Sequence, residues 1–297
     1  MCYKNKLIGV VVPAFNEELL IRETLMSIPK FVDKIYVVDD CSRDGTAKIS
    51  KEFEVADPKY ACVSHEQNKG VGSTIVTGYK KALDDGMQII IVMAGDNQMD
   101  PKYLPDLIDP IIEGKAEFTK GNRLKPGYWN GMRPLRLFGN ILLNILTKIA
   151  SGYWNINDPQ NGYVALNSSS LRKLDLDKLY SGYAFENDMM IKSNVEGIKM
   201  ANVPIPAKYG KEISKIRYKK FLVKTSMFLF YSFFWRIWTE YIRNFRPIGL
   251  LYFFGCFGLL IGLILIFAGT WKILVCGLLL FGSGCLLESR MQNNQEV

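Results

Sequence analysis

The stretch Lys34-Ile35-Tyr36-Val37-Val38-Asp39-Asp40-Cys41-Ser42-Arg43-Asp44-Gly45-Thr46 decides the fold. Its apolar, β-branched half reads as a buried strand, and two carboxylates end it. Small polar residues then turn the chain into a helix that runs to about residue 53. The same grammar recurs on both sides. Residues 7–12 are an apolar run closed by Pro13, and Asn16 caps a helix predicted to reach about residue 28. Residues 61–64 form a short strand, followed by Asn68-Lys69-Gly70-Val71-Gly72 and a helix to residue 83. Residues 87–93 are the strongest strand and end in Ala94-Gly95-Asp96; Pro101 then starts a helix to about residue 112. Strands alternating with helices of this length predict an α/β domain with a mainly parallel sheet covered on both faces. Ligands bind such sheets at the carboxyl ends of the strands, which is where the polar clusters fall.

The 297 residues carry 37 Lys+Arg and 29 Asp+Glu, a net charge of +8, with a mean hydropathy of +0.05. The chain is too apolar for a disordered polycation and, at 22% charged residues, too charged for a bundle of many spans. The charge is unevenly placed. Residues 1–210 hold 26 basic and 25 acidic residues, 211–246 hold 9 and 2, and 247–297 hold 2 and 2. Residues 247–270 are uncharged and long enough to cross a bilayer as a helix. The second uncharged run, 273–287, makes only roughly 22 Å of helix. Trp271 and Lys272 suit the interface, which favours a second span over a re-entrant segment. Gly258, Gly262, Gly277, Gly282 and Gly284 suit close packing of a two-helix hairpin.

Three domains are therefore expected: 1–210 the α/β domain, 211–246 basic and juxtamembrane, and 247–297 a hairpin with a short tail. The basic flank places the first 246 residues on the cytoplasmic face, and the run at 7–12 is too short for a signal peptide. Ser232, Arg236, Glu240 and Arg243 recur at helical spacing among Phe230, Tyr231, Phe234, Trp235 and Trp238, the pattern of an interfacial amphipathic helix. Each basic residue near an anionic surface contributes about 1 kcal/mol. A nucleic-acid partner is not expected, because the basic stretch runs straight into a span. Six cysteines without CxxC spacing read as free thiols, and the single His65 reads as structural. One histidine leaves neither a His-cluster metal site nor a Ser-His-Asp hydrolase.

The polar clusters suggest chemistry. Either Asp39 or Asp40 could accept ribose hydroxyls or a base N–H; capping of the next helix is the alternative. Asp96 and Gln98 could give oxygens to a hard cation such as Mg²⁺, which takes one or two carboxylates plus phosphates. Lys69 and Gly70 lie in a basic turn suited to phosphate. No GxxxxGK[ST] or GxGxxG motif occurs.

In order and spacing, Val11-Val12-Pro13-Ala14-Phe15-Asn16-Glu17, Val38-Asp39-Asp40-Cys41-Ser42 and Asn68-Lys69-Gly70-Val71-Gly72 resemble family 2 glycosyltransferases of the GT-A fold. Gly121-Asn122-Arg123, Arg136 with Gly139-Asn140, Asp158-Pro159-Gln160-Asn161-Gly162-Tyr163, Phe185-Glu186-Asn187-Asp188 and Val203-Pro204 with Tyr209-Gly210 resemble its dolichol-phosphate mannose synthase branch. The resemblance spans roughly residues 7–246. It implies a membrane-bound, inverting transfer of one sugar from a nucleotide sugar (UDP- or GDP-hexose) to a polyprenyl phosphate, with Mg²⁺ or Mn²⁺. It implies that Pro13, Asn16, Glu17 and Asp40 hold the nucleoside and that Asp96 and Gln98 bind the metal. Arg123, Arg136 and Lys208 would face phosphates, and Gln160 and Glu186 join the substrate-binding set. Asp158 and Asp188 are candidates for a base or for orienting the sugar; on one helix Glu186 and Asp188 do not share a face, so at most one participates directly. Ala94 replaces the first aspartate of the family's DxD motif, and Lys208 stands where arginine is commoner. The rivals are a processive polysaccharide synthase, which normally carries a QxxRW motif absent here, a nucleotidyltransferase, an enzyme using another lipid or glycan acceptor, and a catalytically weak lipid-binding homologue.

Overall fold

A computed structural model describes residues 3–128, 134–208, 218–265 and 271–295. The apolar runs form β1 (Ile8–Ala14), β2 (Lys34–Asp39), β3 (Tyr60–Ser64) and β4 (Ile89–Val92), joined later by β5 (Phe118–Asn122), β6 (Val164–Asn167) and β7 (Met200–Pro204). They make a seven-stranded sheet in the order β3-β2-β1-β4-β6-β5-β7. All pairs are parallel except those of β6, which runs against β4 and β5. β1 is buried along its whole length because both of its faces are covered. Val10 and Val12 face α1 (Ile21–Ser27), α2 (Thr46–Ala56) and α4 (Leu104–Ile112). Val11 faces α3 (Val71–Asp84), with α6 (Ser168–Leu171) and α7 (Phe185–Val195) on the same side.

Residues 16–20 are not helical, and α1 starts at Ile21. Asn16 takes φ 55° and does not cap a helix: its Oδ1 accepts the Arg43 N–H at 2.8 Å. The Glu17 N–H donates to Thr46 Oγ1 and the Glu18 N–H to Asp44 Oδ2. Cross-links to the next loop have replaced the helix's own first turn.

Gly78 sets how closely α3 lies on β1. A Cβ there would stand 2.2 Å from Val11 Cγ1 in the core. Gly78→Ala is expected to lose about 1–3 kcal/mol of stability through overpacking. An unchanged thermal unfolding midpoint would contradict this packing.

α5 (Pro134–Ser151) and α8 (Tyr218–Arg236) lie beside α7, and Leu143, Ile191, Leu229 and Phe233 share one cluster. α8 passes through a π-helical turn, Ile237–Ile242, into α9 (Pro247–Leu265) and α10 (Lys272–Gln295). Both α9 and α10 are long and apolar enough to span a membrane. The short second apolar run is part of a longer helix, whose 24 residues rise roughly 36 Å. α9 and α10 meet through glycines: a Cβ on Gly258 would lie 2.9 Å from Gly277 Cα, and one on Gly262 2.5 Å from Leu274 Cα.

The polar stripe of Ser232, Arg236, Glu240 and Arg243 is closed over at its centre: Arg236 is fully buried. Met227, Phe230, Tyr231, Phe234, Trp235 and Trp238 are exposed instead. Lys211, Lys215 and Arg217, together with Tyr209 and Gly210, lie outside the described residues, as do the side chains of Lys219 and Lys220.

Candidate active site

The carboxyl ends of β1, β4, β5 and β7 converge on one cleft of about 300 Å³. Because β6 is antiparallel, its leading loop (158–163) arrives at the same edge. The cleft lies where the strand order reverses around β1, the expected ligand site of an open α/β sheet. Pro13, Asp96, Gln98, Arg123, Gln160, Glu186 and Lys208 of the expected residues line it. Asn140 of α5, Tyr183 and Phe221 of α8 line it too. Phe221 lies edge-on to Tyr183 with ring centroids 6.1 Å apart, so the cleft has an aromatic wall at the start of α8.

The β4 end holds the donor-side candidates. Asp96 Oδ1 accepts the Gln98 N–H at 3.1 Å, in a turn where Asn97 takes φ 57°. The side-chain nitrogen of Gln98 is buried without a hydrogen-bond partner. Amide nitrogen and oxygen are interchangeable by a flip, so this group can offer either a donor to phosphate or an oxygen to a cation. A carboxylate, an amide oxygen and donor phosphates suit a hard cation such as Mg²⁺ or Mn²⁺. No cluster of three or more His, Cys, Asp or Glu occurs among the described residues. Ala94 lines the cleft without a carboxylate.

Across the cleft, Arg123 is anchored by Asp158. The carboxylate accepts the Arg123 backbone N–H at 2.9 Å, Nε at 2.6 Å and Nη2 at 2.9 Å. Burial would raise the Asp158 carboxyl, but the guanidinium and these donors outweigh burial and hold it below the usual carboxylate range. A buried carboxylate with both oxygens committed cannot serve as a base, so Asp158 aims Arg123. Asp188 is also not at the cleft: its Oδ2 accepts from the Tyr180 N–H and Lys192 Nζ, each at 2.7 Å. Glu186, two residues earlier on α7, does line the cleft, and its carboxyl is raised by burial, partly offset by Lys120 and Arg123. Lys208 Nζ donates to Asn97 Oδ1 at 3.2 Å, so the 94–98 turn and the β7 end meet. Gln160 Nε2 donates to Asn187 Oδ1 at 3.2 Å. Arg136 stands in the first turn of α5, and its side chain lies outside the described residues.

The paired carboxylates after β2 have different roles. Asp40 Oδ1 accepts the Lys69 N–H at 2.9 Å and faces His65 Nδ1 at 2.8 Å; Oδ2 accepts the Gly70 N–H at 2.8 Å. Asp40 therefore pins the 65–70 loop with both oxygens, and it does not line the cleft. Asp39 Oδ2 accepts the Ser42 N–H, while its buried Oδ1 has no partner. Asn16 and Glu17 brace this region through Ser42 and Thr46 and do not line the cleft. The turn at Lys69-Gly70 is not an open phosphate cradle. The Gly70 N–H is taken by Asp40, and the α3 N-terminus is stopped by the Ser181 carbonyl, which accepts the Gly72 N–H at 2.8 Å.

Lys120 was not foreseen. It is fully buried in β5, donates to the Asn161 carbonyl at 2.5 Å, and is lowered to about 8 by burial, with Glu186 and Asp158 opposing. β5 reads Phe118-Thr119-Lys120-Gly121-Asn122, and nothing local in it marks the lysine as buried. Phe221 was hidden for another reason: its segment reads as membrane-facing, and nothing local places it at a distant strand end.

A model of the family described as glycosyl transferase family 2 matches residues 9–175. The chain is 32% identical over 219 residues to the UDP-N-acetylglucosamine--dolichyl-phosphate N-acetylglucosaminyltransferase of Methanococcus voltae, covering 69% of this chain and 87% of that one. It is 30% identical over 208 residues to the polyprenol monophosphomannose synthase of Mycolicibacterium smegmatis, covering 66% and 75%. In structure it resembles glucosyl-3-phosphoglycerate synthase from Mycobacterium tuberculosis in complex with Mn²⁺, UDP-glucose and phosphoglyceric acid. The TM-score is 0.55 at 20% identity, over 78% of this chain and 80% of that one. At that identity the likeness is one of fold, the GT-A fold.

Proposed function

The chain belongs to glycosyl transferase family 2, and we propose that it moves a single sugar from a nucleotide sugar to a polyprenyl phosphate at a membrane surface. One observation carries this reading. The cleft lined by Asp96, Gln98, Arg123 and Lys208 is also lined by Phe221 of α8, the helix leading to the apolar hairpin. An anionic lipid head reaching this cleft meets cations, and its chain meets exposed aromatic side chains. The related proteins named for polyprenyl-phosphate substrates support the same choice. On this reading residues 1–210 carry out transfer, 211–246 meet the lipid surface, and 247–297 anchor the chain. The basic flank puts the catalytic domain on the cytoplasmic side.

A phosphate monoester is already anionic at neutral pH, so it attacks the anomeric carbon with little need of a base. The difficulty is holding two anionic groups together. Arg123, fixed in direction by Asp158, and Lys208 neutralise the acceptor phosphate. Gln98 offers its unpaired amide to the donor diphosphate. A divalent cation on Asp96 and Gln98 supplies further neutralisation of the leaving group when bound. In-line displacement inverts the anomeric centre, giving a β-linked product from an α-linked donor. On this reading Glu186 and Gln160 orient the sugar, and Asp39, which is not among the residues lining the cleft but keeps a buried Oδ1 without a partner, accepts a nucleoside donor group.

The test incubates the full chain in vesicles with undecaprenyl or dolichyl phosphate and a panel of UDP- and GDP-hexoses. A mild-acid-labile glycolipid from one donor is expected; none from any donor refutes the reading. Asp39→Asn is expected to raise KM for that donor about 10–100-fold with kcat little changed, the loss of one hydrogen bond to a charged acceptor. An unchanged KM would remove Asp39 from the nucleoside site.

A further inference from the structure

Glu288 lies near the inner end of the second span, yet it is buried and saturated with donors. Oε1 accepts from Arg236 Nη1 at 2.5 Å and Tyr241 OH at 2.5 Å. Oε2 accepts from Tyr252 OH at 2.8 Å and Trp154 Nε1 at 3.0 Å. These four donors come from α8, the π-turn, the first span and the loop after α5. One turn further along α10, Gln292 Oε1 accepts the Trp154 N–H at 2.8 Å.

Arg236 carries the connection into the catalytic domain. Its Nε donates to the Ala150 carbonyl at 2.7 Å and its Nη2 to the Ile149 carbonyl at 3.1 Å, the favourable end of α5 for a cation. The turn after α5 is fitted to it: Gly152 has φ +76°, and a Cβ there would stand 2.7 Å from Arg236 Nη1. Glu240 Oε2 also accepts from Nη1 at 3.2 Å, and Arg246 lies 3.7 Å from Glu240 on its open side. α5 and α8, the two elements that Arg236 joins, bring Asn140 and Phe221 to the cleft.

An anchor alone needs no such cluster, because apolar length suffices to hold a span. Buried ion pairs contribute little net stability over an apolar replacement; their best-attested use is to fix register. We propose that Glu288 and Arg236 are positioning residues: they lock the hairpin to α5 and α8 and so set the height and tilt of the cleft over the bilayer for a membrane-embedded acceptor. This rests on the polyprenyl-phosphate reading above.

The test compares two acceptors with the full chain in phosphatidylcholine–phosphatidylglycerol vesicles: a long-chain polyprenyl phosphate held in the bilayer and a short-chain, water-soluble prenyl phosphate. The donor is whichever UDP- or GDP-hexose the unaltered chain uses. The paired variant Arg236→Met with Glu288→Leu replaces both charges with apolar groups. It is expected to raise KM for the embedded acceptor about 10–100-fold, the scale of an ångström-level misplacement. KM for donor and turnover on the soluble acceptor should stay unchanged. Trp154→Phe, which removes one donor to Glu288, should show the same selective loss to a smaller degree, and decides the matter if the paired variant does not fold. Equal losses on both acceptors, or none on either, overturn the proposal while the transfer reading stands. Absence of transfer by the unaltered chain overturns both.

Discussion

Asp96→Ala is expected to lower sugar transfer by at least about 10²–10³-fold, the cost of losing one group that stabilises charge in a closed site. Two acidic side chains line the cleft among the described residues, Asp96 and Glu186. Asp96 is the one on the β4 turn with Gln98, in the cleft that Arg123 and Lys208 also line. Ala94 leaves no neighbouring carboxylate on that turn to substitute. Asp96 Oδ1 accepts the Gln98 N–H two residues on, and the unfolding temperature of the variant without ligand checks that it folds. A second readout separates binding from folding. Nucleotide with Mg²⁺ or Mn²⁺ should raise the unfolding temperature of the unaltered chain, since a ligand bound only to the folded state stabilises it. In Asp96→Ala the part of that rise that depends on the metal should disappear. Near-normal turnover, or an unchanged metal-dependent rise, would remove Asp96 and Gln98 from the donor site.

Asp158→Asn is expected to damage both stability and transfer. Asp158 is fully buried and gives both oxygens to Arg123, whose side chain is 14% exposed. Breaking a buried pair by neutralising one partner costs about 3–5 kcal/mol, because the other charge is left uncompensated. The amide oxygen in place of Oδ2 can still accept the Arg123 backbone N–H and Nε, but the amide N–H groups then face Nη2 and the compensating charge is gone, so Arg123 loses its bidentate hold. KM for the acceptor phosphate should rise together with a fall in unfolding temperature. If Asp158 were a base, the substitution would abolish turnover and leave KM and stability nearly intact. The pH dependence has a definite sign. The folded carboxyl lies below its unfolded value, so its contribution is complete above about pH 4 and is lost as pH falls through the folded pKa. The unaltered chain should lose this contribution in acid, and Asp158→Asn should show a flatter acid limb. Parallel acid limbs would show that the pair does not contribute as described.

The first four strands and their polar ends were legible because burial on two faces demands unbroken apolar runs, and parallel crossovers demand helices between them. The helix start at Asn16 was misread, since its capping chemistry is spent on Arg43 across a loop 27 residues away. Asp39 and Asp40 are adjacent in sequence and of one residue type. Only the 65–70 loop, folded back onto Asp40, distinguishes the committed carboxylate from the one with a bare oxygen. Asp188 and Glu186 were separable in principle by helical geometry, but which of them faces the strand ends depends on how α7 lies on the sheet. Lys120 was missed because the polar run Thr119 to Asn122 reads locally as exposed, and the Arg236–Glu288 pair because a charge at the end of an apolar run reads as an interface.

The sequence by itself determined the α/β sheet, its strand-end chemistry, the family and two apolar helices, because these follow from periodicity, run length and ordered motifs along the chain. The tertiary structure decided which carboxylates are used up in holding loops, that Asp158 serves Arg123, and that the hairpin is bonded to the catalytic domain through Glu288. Those assignments turn on which donors a distant segment brings within hydrogen-bond reach. Donor positions of that kind are set by packing between segments up to 138 residues apart, as for Trp154 and Gln292, and local sequence carries no record of them.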